Sequence, residues 1–346
     1  MKTGRNLQEL LLELRRQESA KRDYISPASS LLLRENGQTL NMAGQDFGTT
    51  ALFHRQTADV LKIPVKYYDL MQKEKPELLA ENVNSWLSDR EQKYMVRTLD
   101  GTARALLSDR YRRIDNAEVA SAVLPLFAGV QGIEVMSCEV TETKLYLKIV
   151  NHRVEARAVG DIVQAGIVVS NSEVGMAAVT VRPLVYTLAC KNGLIVNSLG
   201  ERKTHIGRSL GMYEGILSDE TKAAEDKAFL LKLRDVVKAA LDETVFRQVV
   251  DELERAAELP ITGHVEEVVE LTCREYGMNE TEQEGILRYL IEGGELSRYG
   301  LSNAVTRASQ DAVSYDRATE LESIGWNVIT MPPRQWKEIN ASDNRH

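Results

Sequence analysis

The sequence predicts an α+β fold: a mostly antiparallel, meandering sheet with helices on one side, plus a long acidic helical arm. Three observations carry that expectation. Between Tyr94 and Val181 the chain alternates apolar and polar residues over several short runs, with turn pairs such as Asp100-Gly101 between them. Both ends of the chain show apolar residues at the three-to-four spacing of helices. From Asp242 to Glu295 fifteen carboxylates face only four arginines, a balance of −11 that leaves +3 for the remainder of a chain whose total is −8.

The elements follow in order. Leu7, Leu10, Leu11 and Leu14 recur at i, i+3, i+4 and i+7, which makes an amphipathic helix of the N-terminal stretch. A strand over Ser30–Arg34 and a turn at Asn36-Gly37 precede helical stretches at Phe53–Leu61 and Lys66–Leu87, the second interrupted near Pro76. Tyr94–Leu99 and Thr102–Ser108 flank Asp100-Gly101, the pair that favours a type I′ hairpin. A helix over Asn116–Phe127 leads into strands around Leu145–Val150, Ile162–Ser170 and Ala177–Arg182. Pro183 suits the first position of a helix that Asn192-Gly193 would end. Beyond it helices are expected at Ser218–Leu259, Val265–Tyr276, Glu280–Glu292, Gly300–Val313 and Asp316–Ile324, with Val328–Thr330 as an edge strand. The expected division is a core over residues 1–217, an acidic helical segment over 218–296, and C-terminal helices returning to the core over 297–346.

Composition narrows the function classes. No stretch approaches the roughly 18 apolar residues that span a bilayer, and residues 1–22 lack a secretory h-region. Cys138, Cys190 and Cys273 are odd in number and far apart, and the five histidines show no metal-binding spacing. A cytoplasmic protein without metal or cofactor is expected. No phosphate-cradling glycine loop is present, and Gly293-Gly294 is followed by Glu295. Cys190 reads as inert packing in an apolar helical run, and His205 shows no catalytic partner.

The sharpest local inference concerns the hairpin. A two-residue turn at Asp100-Gly101 sets Arg97 opposite Arg104 and Val96 opposite Ala105, with Val96, Thr98, Ala103 and Ala105 on one core face. Like charges directly opposite each other are unfavourable, so the pair is either neutralised by a carboxylate from elsewhere or built to hold a phosphate. Arg110, Arg112 and Arg113 around Tyr111 repeat the pattern of cation beside aromatic that single-strand binders use, unless Asp109 and Asp115 pair with them. Arg182, Lys203 and Arg208 would extend the same basic surface. Asn303 and Arg307, four apart on one helix face, either clamp the helix to the sheet or line a site.

Four segments also carry a resemblance: Val96–Asn116 (VRTLDGTARALLSDRYRRIDN), Ser170–Gly175 (SNSEVG), Val181–Gly193 (VRPLVYTLACKNG) and Tyr299–Thr306 (YGLSNAVT). They resemble the phage/plasmid-like proteins of the domain-of-unknown-function 932 family over roughly residues 31–336. The resemblance implies a mobile-element setting and a role in DNA metabolism or host interaction, with no catalytic residues to carry over. Together with the arginines it gives the leading expectation: a protein that binds nucleic acid, single-stranded DNA above all, in annealing or recombination, with possible self-association. The alternatives are a protein-interaction or anti-defence factor whose acidic segment engages a basic host partner, and a hydrolase or nuclease with an unrecognised carboxylate site.

Overall fold

A computed structural model describes residues 1–111, 113–197, 205–206, 219–240 and 243–341. The chain opens with α1 (Leu7–Ala20), started by a capping box in which the Asn6 and Glu9 side chains exchange hydrogen bonds with each other's backbone N–H. It buries Leu10 and Leu14. There follow β1 (Arg22–Pro27), β2 (Leu31–Leu33), β3 (Thr39–Met42), β4 (Gln45–Thr49), α2 (Ala51–Leu61), α3 (Val65–Glu74), α4 (Pro76–Ser88), β5 (Lys93–Leu99) and β6 (Thr102–Ser108). The strands form one six-stranded sheet in the order β1-β5-β6-β4-β3-β2, antiparallel except for β4 beside β6. Pro76 separates α3 from α4 and begins the latter, where its missing N–H costs nothing. The three helices cover one face, burying Phe53, Tyr68, Leu79 and Val83 against Leu40, Phe47, Val96 and Leu106.

The second sheet is built from β7 (Ile133–Val140), β8 (Leu145–Ala158), β9 (Asp161–Asn171), β10 (Val179–Thr187), β11 (Asn192–Ile195) and β12 (His205–Ile206), with α5 (Asn116–Val123) leading in. Its order is β11-β10-β9-β8-β7, with β12 also on β10, all antiparallel. The long strands explain the nearly unbroken apolar run of β9: both faces are covered. Leu145, Leu147, Ile149, Ile167 and Val169 pack on one side against α1, α5 and α6 (Asp219–Ala240). Helix α7 (Glu243–Ala257) continues along that same side, over Val163, Ala165 and Val185. After α8 (Val265–Glu275), α9 (Glu280–Gly293) and α10 (Arg298–Ala308), α11 (Tyr315–Ile329) covers the opposite side, where Asp316, Glu322 and Ser323 meet Tyr146, Lys148 and Arg182. A last helix, α12 (Pro333–Ile339), packs on α8.

The fold is thus α+β, with four corrections. There are two sheets instead of one, and the second is covered by helices on both faces. The stretch from Pro183 is strand, not helix. The carbonyl of Pro183 accepts from Val196 N on the outer side of β10, so the missing proline N–H falls on that same side, between the parts of β10 paired with β12 and with β11. Cys190 consequently lies in a β10–β11 turn, partly exposed. Helix α11 runs through Gly325, where a Cβ would collide with Thr306 of α10; the glycine serves close helix packing, not a stop. Residues 328–329 end that helix instead of forming an edge strand.

The acidic segment is helical and joins neither sheet, but it is not an arm. Helix α7 lays Phe246, Val249, Val250 and Leu253 against the second sheet. Helices α8 and α9 share a core with α10, α11 and α12, through Val268, Val269, Cys273, Ile286 and Leu290. No described helix is long and apolar enough to cross a membrane.

Candidate functional site

The hairpin turn forms as its sequence dictates, with Asp100 at φ 51 and Gly101 at φ 74, the two positive values a type I′ turn requires. Leu99 faces Thr102 and Thr98 faces Ala103, but Arg97 faces Ala105. Arg104 is the extra residue of a β-bulge, and this one-residue slip carries Ala105 to the face opposite Val96, onto Met95, Leu107 and Val174. The two arginines are therefore not cross-strand partners. Both still reach the seam between the two sheets, because the bulge re-aims Arg104 toward the loop after β9.

That seam is an ion-pair network. Arg97 is 3% exposed and bonds through all three guanidinium nitrogens: Nε on Asp23 Oδ1 at 2.8 Å, Nη2 on Asp115 Oδ1 at 2.8 Å, and Nη1 on the Glu173 carbonyl at 2.6 Å. Arg104 donates to Glu173 Oε1 at 3.0 Å and to the Glu142 carbonyl at 3.0 Å. Glu173, also buried, accepts the Asn116 N–H at the start of α5 through its other oxygen. Lys21 closes on Asp115 at 2.8 Å, and Arg113 on Asp23 at 2.6 Å. Burial opposes ionisation of Asp115, yet Arg97 and Lys21 outweigh it and hold the carboxyl below its usual range. Desolvation likewise disfavours charge on Arg97, and Asp115 and Asp23 overcome it, raising its pKa.

Of the other residues selected from the sequence, those that the structure describes do not assemble into one surface. Tyr111 turns inward, packing beside Met95 and Val174 with its hydroxyl on the Ser172 carbonyl, so its ring is no open stacking platform. Arg110 is exposed, and Arg113 is half exposed over Asp23. Arg182 lies on the other face of the second sheet, under α11, donating to Asn197 Oδ1 and Ser323 Oγ at 3.0 Å each; burial lowers its pKa. It shares no partner with Arg97 or Arg104. Arg112, Lys203 and Arg208 lie outside the described residues. Asn303 acts as a clamp: Asn192 of β11 donates to its Oδ1 and to Thr306 Oγ1, both at 2.6 Å. Arg307 lies instead over the Tyr289 ring.

A second feature escaped the sequence reading. Helices α8 and α9 leave between them a groove of about 790 Å³, lined by His264, Val265, Glu266, Glu267, Glu270, Leu287, Ile291, Gly294 and Leu296. Its floor is apolar and unusually open: Ile291 is 62% exposed and Leu296 44%. Its α8 wall is three glutamates. Glu266 and Glu267 sit in the first turn of α8, where the positive end of the helix dipole favours carboxylates. The charge run at 242–295 pointed to this region, but only the pairing of the two helices creates the groove. Among the described residues no cluster of His, Cys, Asp and Glu could hold a metal.

Comparison with family models, with curated proteins and with solved structures finds no match to this chain.

Proposed function

We propose that the protein is an interaction factor that engages a basic protein partner through the acidic groove of its C-terminal helices. The observation that carries this reading is the open apolar floor beside Glu266, Glu267 and Glu270. Exposed apolar surface rimmed by one sign of charge marks a docking site for the opposite sign. The same carboxylates repel phosphate, and Arg97 and Arg104, the core of the expected nucleic-acid surface, are buried on internal carboxylates.

The test is a titration of the purified chain with two labelled probes across a salt series: a flexible Lys/Gly/Ser peptide and a single-stranded oligonucleotide. The peptide should bind, weakening as salt shortens the Debye length from about 10 Å at 0.1 M, and the oligonucleotide should not bind at about 50 mM salt. Oligonucleotide binding without peptide binding would overturn the reading and favour a nucleic-acid surface around Arg110, Arg112, Lys203 and Arg208.

A further inference from the structure

The two walls of the groove have a spacing of their own. On α9, Leu287 and Ile291 are four residues apart and so lie one above the other on one face. On α8, Glu266 and Glu270 are likewise four apart, with Glu267 three from Glu270. An apolar strip and an acidic strip thus run along the groove, each repeating about once per helical turn, roughly 5.4 Å. Val265 at the start of α8 and Leu296 just beyond α9 add further apolar lining.

We infer that the occupant of this groove is an amphipathic basic helix of a partner protein. It would present apolar residues at i and i+4 to Leu287, Ile291 and Leu296, and a neighbouring strip of Lys or Arg to Glu266, Glu267 and Glu270. This inference rests on the proposed function and specifies its partner. A helix repeats its side chains at the period the groove already has, which is how amphipathic helices are read in grooves between helices. An extended strand is disfavoured because both walls are helices whose backbone groups are bonded within the helix, leaving no ladder to extend; the bridge nearby, Pro260 to Ser297, is internal. The acidic wall is not neutralised from α9: Arg288 turns away to Tyr289 and Asp311. At the far end of α9, a Cβ built on Gly293 or Gly294 meets nothing within 4 Å, so the groove is open there and a longer helix can run past it.

The experiment uses the full chain and two synthetic 14-residue peptides of identical Leu/Lys composition. One places leucine at every third or fourth position to make a single apolar face; the other spreads the leucines around the helix. Affinity is read by fluorescence anisotropy and peptide helicity by circular dichroism. The patterned peptide should bind at least tenfold more tightly than its isomer and gain helicity on binding. Ile291→Asp should lower its affinity at least tenfold, Ile291→Leu should retain it, and E266Q/E267Q/E270Q should remove most of its salt dependence. Melting temperatures of the variants establish that each is folded. Equal binding of the two isomers, or unchanged binding by Ile291→Asp, would overturn the helix while leaving a charge-driven partner in place. Binding of neither peptide would overturn both this inference and the function on which it rests.

Discussion

Glu173→Ala should be among the most destabilising single substitutions in the chain. The wild-type side chain is 3% exposed. Its two oxygens accept from Arg104 Nη1 at 3.0 Å and from the Asn116 N–H at 3.1 Å, with Lys21 Nζ 4.0 Å away. Truncation leaves the Arg104 guanidinium, 8% exposed, with only the Glu142 carbonyl, and removes the acceptor for the first N–H of α5. Breaking a buried pair from one side costs roughly 3–5 kcal/mol, and an orphaned N–H roughly 1–3. These overlap, because water entering the space solvates both groups, so about 4 kcal/mol is expected. The bond from Arg97 to the Glu173 carbonyl is backbone-mediated and survives.

Removing the second charge as well should recover much of the loss. In Glu173→Ala/Arg104→Met no buried charge is stranded, and a net cost of about 1–2 kcal/mol remains, a coupling of about 2 kcal/mol or more between the positions. Urea unfolding followed by far-UV circular dichroism and by fluorescence of Trp86, Trp326 and Trp336 measures this, coincident transitions being the condition for comparing free energies. A Glu173→Ala loss below about 1 kcal/mol, or a double variant less stable than the single one, would refute the argument. Arg104 would then be a solvated cation, and phosphate binding at the hairpin would again be open.

Three further outcomes are expected. Burial pushes His54, hydrogen-bonded between Thr49 and Tyr68, down to about 4 from 6.5, so between those pH values the unfolded chain takes a proton that the folded chain refuses. Stability should hold above about pH 6.5 and fall by roughly 3 kcal/mol toward pH 4 from this group, and His54→Gln should flatten that slope in urea titrations. Lys148→Met strands the fully buried Glu322, 2.6 Å from Lys148 Nζ, and should cost roughly 3–5 kcal/mol, with Lys148→Met/Glu322→Leu restoring most of it in the same assay. Gly325→Ala should destabilise by roughly 1–3 kcal/mol by driving a methyl into Thr306 across the α10–α11 contact, read as a lowered urea midpoint.

Local chemistry was legible in the sequence wherever one short segment decided the outcome. The Asp100-Gly101 turn, the break at Pro76, the leucine stripe of α1 and the strand β9 all follow from neighbouring residues. What failed was whatever required a second segment. Pro183 reads as a helix start unless the gap between the β12 and β11 pairings on the outer side of β10 is known. The bulge at Arg104 leaves no mark in the alternation of Thr102 to Ser108, yet it sets the direction of one guanidinium. Glu173 is the partner that decides the meaning of the arginines, and it lies 69 residues from Arg104. A run of arginines near a tyrosine says only that charge is concentrated; whether it faces water depends on carboxylates brought in by β1, the start of α5 and the β9–β10 loop. The groove was invisible for the same reason, since its two strips belong to different helices and each strip alone is an ordinary helix face.

The buried polar contacts also bear on the groove, although none of them lines it. Helix α9 is fixed to α11 by Arg317, whose Nε and Nη2 take both oxygens of Glu282 at 2.7 Å, and α8 is tied to α11 through Tyr276, whose hydroxyl donates to the Asn327 carbonyl at 3.1 Å. Helix α11 is in turn fixed to the second sheet, by Lys148 on Glu322 and by the hydroxyls of Thr141, Thr143 and Tyr146 on Asp316. Every link is a directional bond, and all but the Tyr276 one involve a charged group, so the register of α8 and α9 is set from the sheet outward. A flexible acidic arm would lose conformational entropy on capturing its partner; two helices already held apart at a fixed spacing lose little. The same −11 of charge, spread on a disordered tail, would attract any basic surface alike. Under the proposed function, Glu266, Glu267 and Glu270 fixed along one wall, opposite Leu287 and Ile291 on the other, would discriminate between basic segments by the period of their side chains.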